Sequence, residues 1–158
     1  MTVSSSEKVD IYGKYVENGF QLLGIPYPGV EFFQQFKSNN YNGKELKFDW
    51  TQAFANANIS VPDISRFSNI DWKEYKSWDL IELTRNYLLL FLHHISDKDG
   101  GLLIHCISGW DRTPLFISLL RMSLWADGVV HQSLSALEVV YLTISYDWFL
   151  FKFLAFNF

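Results

Sequence analysis

The chain contains a single cysteine, Cys106, in 158 residues. One thiol cannot form an internal disulfide, and it rules out a zinc site built from several cysteines. Excess positive charge is also missing. Thirteen Lys and Arg face 17 Asp and Glu, for a net charge of -4. A nucleic-acid-binding domain is normally basic, so that class is set aside. Attraction to an anionic membrane through overall charge is set aside too, although a local basic pocket stays open. No uncharged apolar run approaches the roughly 20 residues of a membrane span. Met1 to Asp10 is polar and lacks the apolar core of a signal peptide. These absences point to the reducing cytoplasm, with peripheral membrane contact left open.

Aromatic residues, by contrast, are plentiful, at 18% of the chain, and hydrophobic residues make up 49%. That composition fits a globular chain with a buried core rather than a disordered one. Residues 1–18 are Ser-rich at their start and read as a disordered or loosely ordered segment; residues 19–158 read as domain. Phe20 to Ile25 is a strand by pattern, stopped by the turn Pro26-Tyr27-Pro28-Gly29. Phe32, Phe33 and Phe36 predict a short amphipathic helix over Val30 to Phe36. Phe48, Trp50 and Phe54 are core anchors in a stretch that does not declare its type. Val61-Pro62-Asp63 breaks the chain. From Ser77, an N-cap by type, Leu80, Leu83, Tyr87, Leu88 and Phe91 follow the spacing of a core-facing helix. A second helix runs from about Thr113 to Ala126 with Pro114 in its first turn and Gly128 as its stop. Ser135 and Glu138 have capping-box spacing and open a third, through Val139, Val140 and Leu142. The aromatic stretch from Trp148 to Phe158 reads as a core strand or helix end, with a membrane-surface anchor as the alternative.

The stretch with chemical content is Gly100 to Pro114. It reads as a turn, a short strand at Leu102 to Ile104, a loop and a helix start. The loop carries Cys106, with Arg112 six positions later and Thr113 after it. A helix N-terminus presents unpaired N–H groups and partial positive charge. Beside an arginine, such a setting favours the thiolate over the thiol that free cysteine holds at neutral pH. The main-chain N–H groups of Ile107, Ser108, Gly109, Trp110, Asp111 and Arg112 would form a nest for phosphate oxygens. Gly109 permits the turn such a nest needs. Arg112 can clamp two phosphate oxygens in a planar fork. The implied chemistry is attack by sulfur on phosphorus and hydrolysis of the phosphocysteine. Asp111 is the nearest acid for the leaving oxygen, and Asp63 the other candidate. Thr113 would hydrogen-bond the thiolate. His105 reads as structural at the strand end, His93 and His94 as solvated or capping, and His131 as lacking a partner. The nest and the arginine carry the compensating charge, so the reaction needs no metal and no cofactor.

The fold class expected from these elements is α/β: a cysteine-phosphatase-like, partial parallel or mixed sheet flanked by helices. Leu102 to Ile104 is apolar on both faces, as in the centre of a covered sheet. Such a strand needs more neighbours than the pattern provides, so residues 19–158 read as part of a larger catalytic domain.

His105-Cys106-Ile107-Ser108-Gly109-Trp110-Asp111-Arg112-Thr113-Pro114-Leu115-Phe116-Ile117-Ser118-Leu119-Leu120-Arg121 resembles the myotubularin-related phosphoinositide phosphatases, and most closely their Jumpy-like branch. Ile25 to Gly29, Asn69 to Trp72 and Tyr141 to Trp148 resemble that branch as well. The resemblance implies removal of the 3-phosphate from phosphatidylinositol 3-phosphate and phosphatidylinositol 3,5-bisphosphate at a membrane surface. By position it makes Cys106 the nucleophile, Arg112 the phosphate-binding arginine and Asp111 the acid. Most of the family has Ser-Asp after the cysteine; here, as in the Jumpy-like branch, Ile107-Ser108 leaves Asp111 as the loop's only carboxylate. The Cys–Arg spacing alone also fits a protein tyrosine or dual-specificity phosphatase. A shortened, inactive form that binds phosphoinositide or a protein partner is the remaining alternative.

Overall fold

A computed structural model of the chain describes residues 13, 15–52, 58–60, 69–96, 101–106 and 109–150. Among these the regular structure is helical: α1 (Val30–Ser38), a 3-10 turn (Trp72–Lys76), α2 (Leu80–Ser96), α3 (Arg112–Ala126), α4 (Ala136–Leu142) and a π-wound segment (Thr143–Leu150). The chain divides into two compact units, residues 1–87 and 88–158.

Aromatic packing organises the first unit. The spacing of Phe32, Phe33 and Phe36 does form a helix, and α1 buries Phe32. From Phe32 a run of edge-to-face rings continues to Phe48 at 5.3 Å, on to Trp50 at 4.8 Å and to Tyr75 at 5.2 Å. Trp72 stacks on Tyr87 at 6.2 Å and 7°. Two buried hydroxyls tie this unit together. Tyr87 donates to the Pro26 carbonyl at 2.9 Å, and Tyr27 bonds Thr84 Oγ1 at 2.7 Å. Helix α2 is capped not by Ser77 but by Asp79, whose Oδ1 accepts from Glu82 N at 2.9 Å while its Oδ2 accepts from Glu45 N at 2.9 Å. Ser77 instead turns its hydroxyl back to the Glu74 carbonyl. Leu80, Leu83, Tyr87 and Phe91 are buried as their periodicity requires, with Leu90 added to that face.

In the second unit Phe91 meets Phe116 of α3 edge to face at 5.2 Å. Helix α3 begins one residue earlier than its pattern suggests, at Arg112, and Gly128 (φ +70°) follows its end. The Ser135–Glu138 capping box is complete and starts α4, which buries Val139. The helical path then widens into the π-wound segment, where Trp148 and Phe149 are exposed. The core role expected of this stretch therefore does not hold at those two residues, while 151–158 lie outside the described residues, as do Phe54 and Val61 to Asp63.

The expected α/β sheet is not there: no strand occurs among the described residues. Phe20 to Ile25 makes only the isolated bridge Gly24–Ser60. Residues 101–106 take no regular structure and join no ladder. A strand is defined by the neighbour it pairs with, and an apolar triplet cannot supply that neighbour. Exposure settles the point: Ile104 is buried at 7%, while Leu103 is 56% exposed. The segment is covered on one side, not on both.

Candidate functional site

Cys106 closes the stretch 101–106, and α3 starts six positions on, at Arg112. Both belong to the second unit, and the expected nucleophile thus lies beside a helix N-terminus. The thiol is buried, with 7% of the residue exposed. Two donors point at its sulfur. Thr113 Oγ1 donates to Sγ at 3.1 Å, and Gly109 N–H donates to it at 3.2 Å. Gly109 has φ +74°, a left-handed backbone that a side chain would strain, and this turn is what aims its N–H at the sulfur. A hydroxyl and an amide donor thus converge on one sulfur.

Asp111 caps α3. Its Oδ1 accepts from Arg112 N–H at 2.7 Å, lies 3.6 Å from Arg112 Nε and stands 3.9 Å from Cys106 Sγ. The contacts to Asp111 among the described residues all fall on Oδ1, and the carboxyl is only partly exposed. Arg112 Nε is buried without a hydrogen-bond partner among the described residues. A buried guanidinium N–H left unpaired is costly, and an anionic oxygen would satisfy it. Trp110 stands out into solvent, 58% exposed.

The structure therefore brings Gly109, Asp111 and Thr113 to the Cys106 sulfur, with Arg112 against Asp111. Two of the expected phosphate donors are already committed: Gly109 N–H to the sulfur and Arg112 N–H to Asp111. Ile107 and Ser108 lie outside the described residues, as does Asp63. Among the described residues no three of His, Cys, Asp and Glu cluster as a metal site, and no helix is long and apolar enough to cross a membrane.

Sequence reasoning missed one group on the helix that starts at this site. Arg121 of α3 reaches Asp147 of the π-wound segment through two parallel bonds, Nε to Oδ2 at 3.1 Å and Nη2 to Oδ1 at 2.8 Å. Its Nη1 meets His131 Nε2 at 3.1 Å, so His131 has a partner after all. Asp147 is 0% exposed. A signal was present: each is a lone charge in an apolar run, and a buried charge requires a counter-charge. What the sequence withheld was which charge pairs with which.

Comparison with known proteins supplies the context. Over 153 residues, 96% of this chain, it is 57% identical to human (Homo sapiens) phosphatidylinositol-3,5-bisphosphate 3-phosphatase MTMR14. The mouse (Mus musculus) protein of the same name is 55% identical over 153 residues. The chain spans 23% of the length of each of these relatives. No family model matches the chain, and no solved structure does.

Proposed function

Because the chain belongs, across the 153 matched residues, to the MTMR14 branch of the myotubularin-related phosphatases, we propose that it is a phosphoinositide 3-phosphatase. Its substrates on this reading are phosphatidylinositol 3-phosphate and phosphatidylinositol 3,5-bisphosphate, met at a membrane surface. The relatives' names supply the substrate class. The observation that carries the chemistry is the Cys106 sulfur, held by Thr113 and Gly109 beside the N-terminus of α3.

The Cys106 sulfur stands 3.9 Å from Asp111 Oδ1, within reach for the thiol to donate to it. Transfer of that proton leaves a thiolate under two donors and a protonated carboxyl beside it. Arg112 holds the phosphoryl oxygens, with its unpaired Nε as one donor. The sulfur attacks phosphorus, the bond from phosphorus to the 3-oxygen breaks, and Asp111 gives its proton to the leaving oxygen. Water then cleaves the S–P bond, with Asp111 taking a proton from that water. Thr113 donates to the departing sulfur in this second step. Every proton is accounted for by groups within the loop and the water consumed.

The test compares phosphate release from short-chain phosphatidylinositol 3-phosphate and from phosphotyrosyl peptides, with and without Cys106→Ser. The substitution is expected to remove release from the lipid. Undiminished release after it would overturn the nucleophile, and faster turnover of the peptides would overturn the substrate.

A further inference from the structure

We propose that Arg121 and Asp147 are positioning residues, whose buried fork fixes the rotation of α3 about its axis and thereby places Arg112 and Thr113 against the phosphate site. The inference rests on the reading of that site given above.

Hydrophobic burial does not by itself choose the rotation of this helix. Apolar side chains occupy every face of α3, from Leu115 and Phe116 to Met122 and Leu124. Burying one set or a neighbouring set differs little when all are apolar, because the hydrophobic effect is non-directional. Directional bonds can break that tie. Arg121 is the one charged residue of α3 beyond Arg112, and Asp147 is the one charged residue of the π-wound segment. Together they make a bidentate pair with the carboxylate fully buried. The guanidinium is held on its other edge by His131, and its centre lies 6.0 Å from the Tyr146 ring. Few positions in the second unit are so thoroughly constrained.

Arg112 and Arg121 are nine residues apart on one helix, about two and a half turns. Their side chains therefore leave α3 in opposite directions, and a rotation of the rigid helix at one is a rotation at the other. Thr113 Oγ1 must stay within bonding distance of Cys106 Sγ, now 3.1 Å. A misplacement of roughly 1 Å in such a constellation can cost on the order of a hundredfold in rate. Stability alone is a weaker account of the pair, since apolar residues of similar volume often replace a buried ion pair without loss.

That last fact separates the two roles experimentally. Cys106 is the chain's single cysteine, so its alkylation by iodoacetamide reports this site directly. Inorganic phosphate should occupy the site and slow that alkylation. The full chain carrying Arg121→Met with Asp147→Leu is expected to fold, with an unfolding midpoint at or above that of the unaltered chain. The phosphate needed to halve its alkylation rate should nevertheless rise about tenfold or more. A folded double variant protected within about twofold of the unaltered chain would overturn the proposal, leaving the pair a stabilising role only. Arg121→Lys keeps the charge but not the fork, so it decides the matter if the double variant does not fold. A smaller loss of protection is expected there, and full protection would count against the proposal. If phosphate fails to protect the unaltered chain at any concentration, the phosphate site itself is wrong, and this inference falls with it.

Discussion

Asp111 has an observed role and a proposed one that a pair of substitutions can separate. As an N-cap it accepts from Arg112 N–H, and in the proposed reaction it is the acid for the leaving oxygen. Asparagine caps helices about as well as aspartate but has no such proton to give. Asp111→Asn should therefore keep the melting temperature while turnover falls by roughly 10²–10⁴. Asp111→Ala should lose turnover and about 1 kcal/mol of stability besides. Asp63→Asn should cost far less turnover at neutral pH; the reverse order in kcat would take the acid role from Asp111. Thr113→Val keeps the volume and removes the donor to sulfur, so hydrolysis of the phosphocysteine should slow more than its formation. Trapping the phosphoenzyme at intervals after mixing measures this, and an unchanged lifetime would remove Thr113 from that step. The proximity of Asp111 and Thr113 to Cys106 was legible in the sequence because the loop is local: they fall within eight consecutive positions. Arg121 and Asp147 were not, because nothing in either run identifies a partner 26 residues away.

Among the elements, those whose ends are specified by their own residues were readable. The capping box is the clearest case. Ser135 Oγ bonds Glu138 Oε2 at 2.7 Å, Ser135 N–H donates to it at 2.8 Å, and Glu138 N–H returns to Ser135 Oγ at 3.4 Å. The bonds from Ser135 N–H and then its hydroxyl hold the Glu138 carboxyl below its ordinary range. A lowered carboxylate stabilises the fold above its ordinary titration and loses that contribution as pH falls through the lowered value. Ser135→Ala should cost about 1 kcal/mol at neutral pH in urea unfolding. The difference from the unaltered chain should shrink on acidification, and a pH-independent difference would mean that the carboxylate is not part of the cap's strength. The sheet was misread for the opposite reason. Helix signals are local, whereas a strand depends on a partner that the sequence of the strand does not name. Leu102 to Ile104 has strand composition, yet with no pairing partner among the described residues it forms no strand.

At the scale of the whole chain, ionisable groups are buried differently in the two units. Among the described residues the second unit buries the Arg121–Asp147 ion pair, and the first buries phenols. Burial pushes Tyr27 up to about 12, against the opposing pull of its bond to Thr84. Burial raises Tyr87 as well, and the neighbouring phenols Tyr75 and Tyr27 add to it. A phenol raised in the folded state stabilises the fold in its neutral form. That contribution is complete below the ordinary value of 10.0 and is lost as pH climbs through about 12. The first unit should therefore come apart in alkali as its tyrosines ionise, with tyrosinate absorbance and loss of near-ultraviolet circular dichroism rising together. Tyr27→Phe keeps the ring and removes a phenol whose ionisation opposes the fold, so it should move the alkaline midpoint upward. At neutral pH the same change should cost about 0.5–1.5 kcal/mol for the hydrogen bond to Thr84. Ionisation of Tyr27 near 10 with the dichroism unchanged would show that the ring is not enclosed, and the aromatic packing of the first unit would have to be redrawn around it.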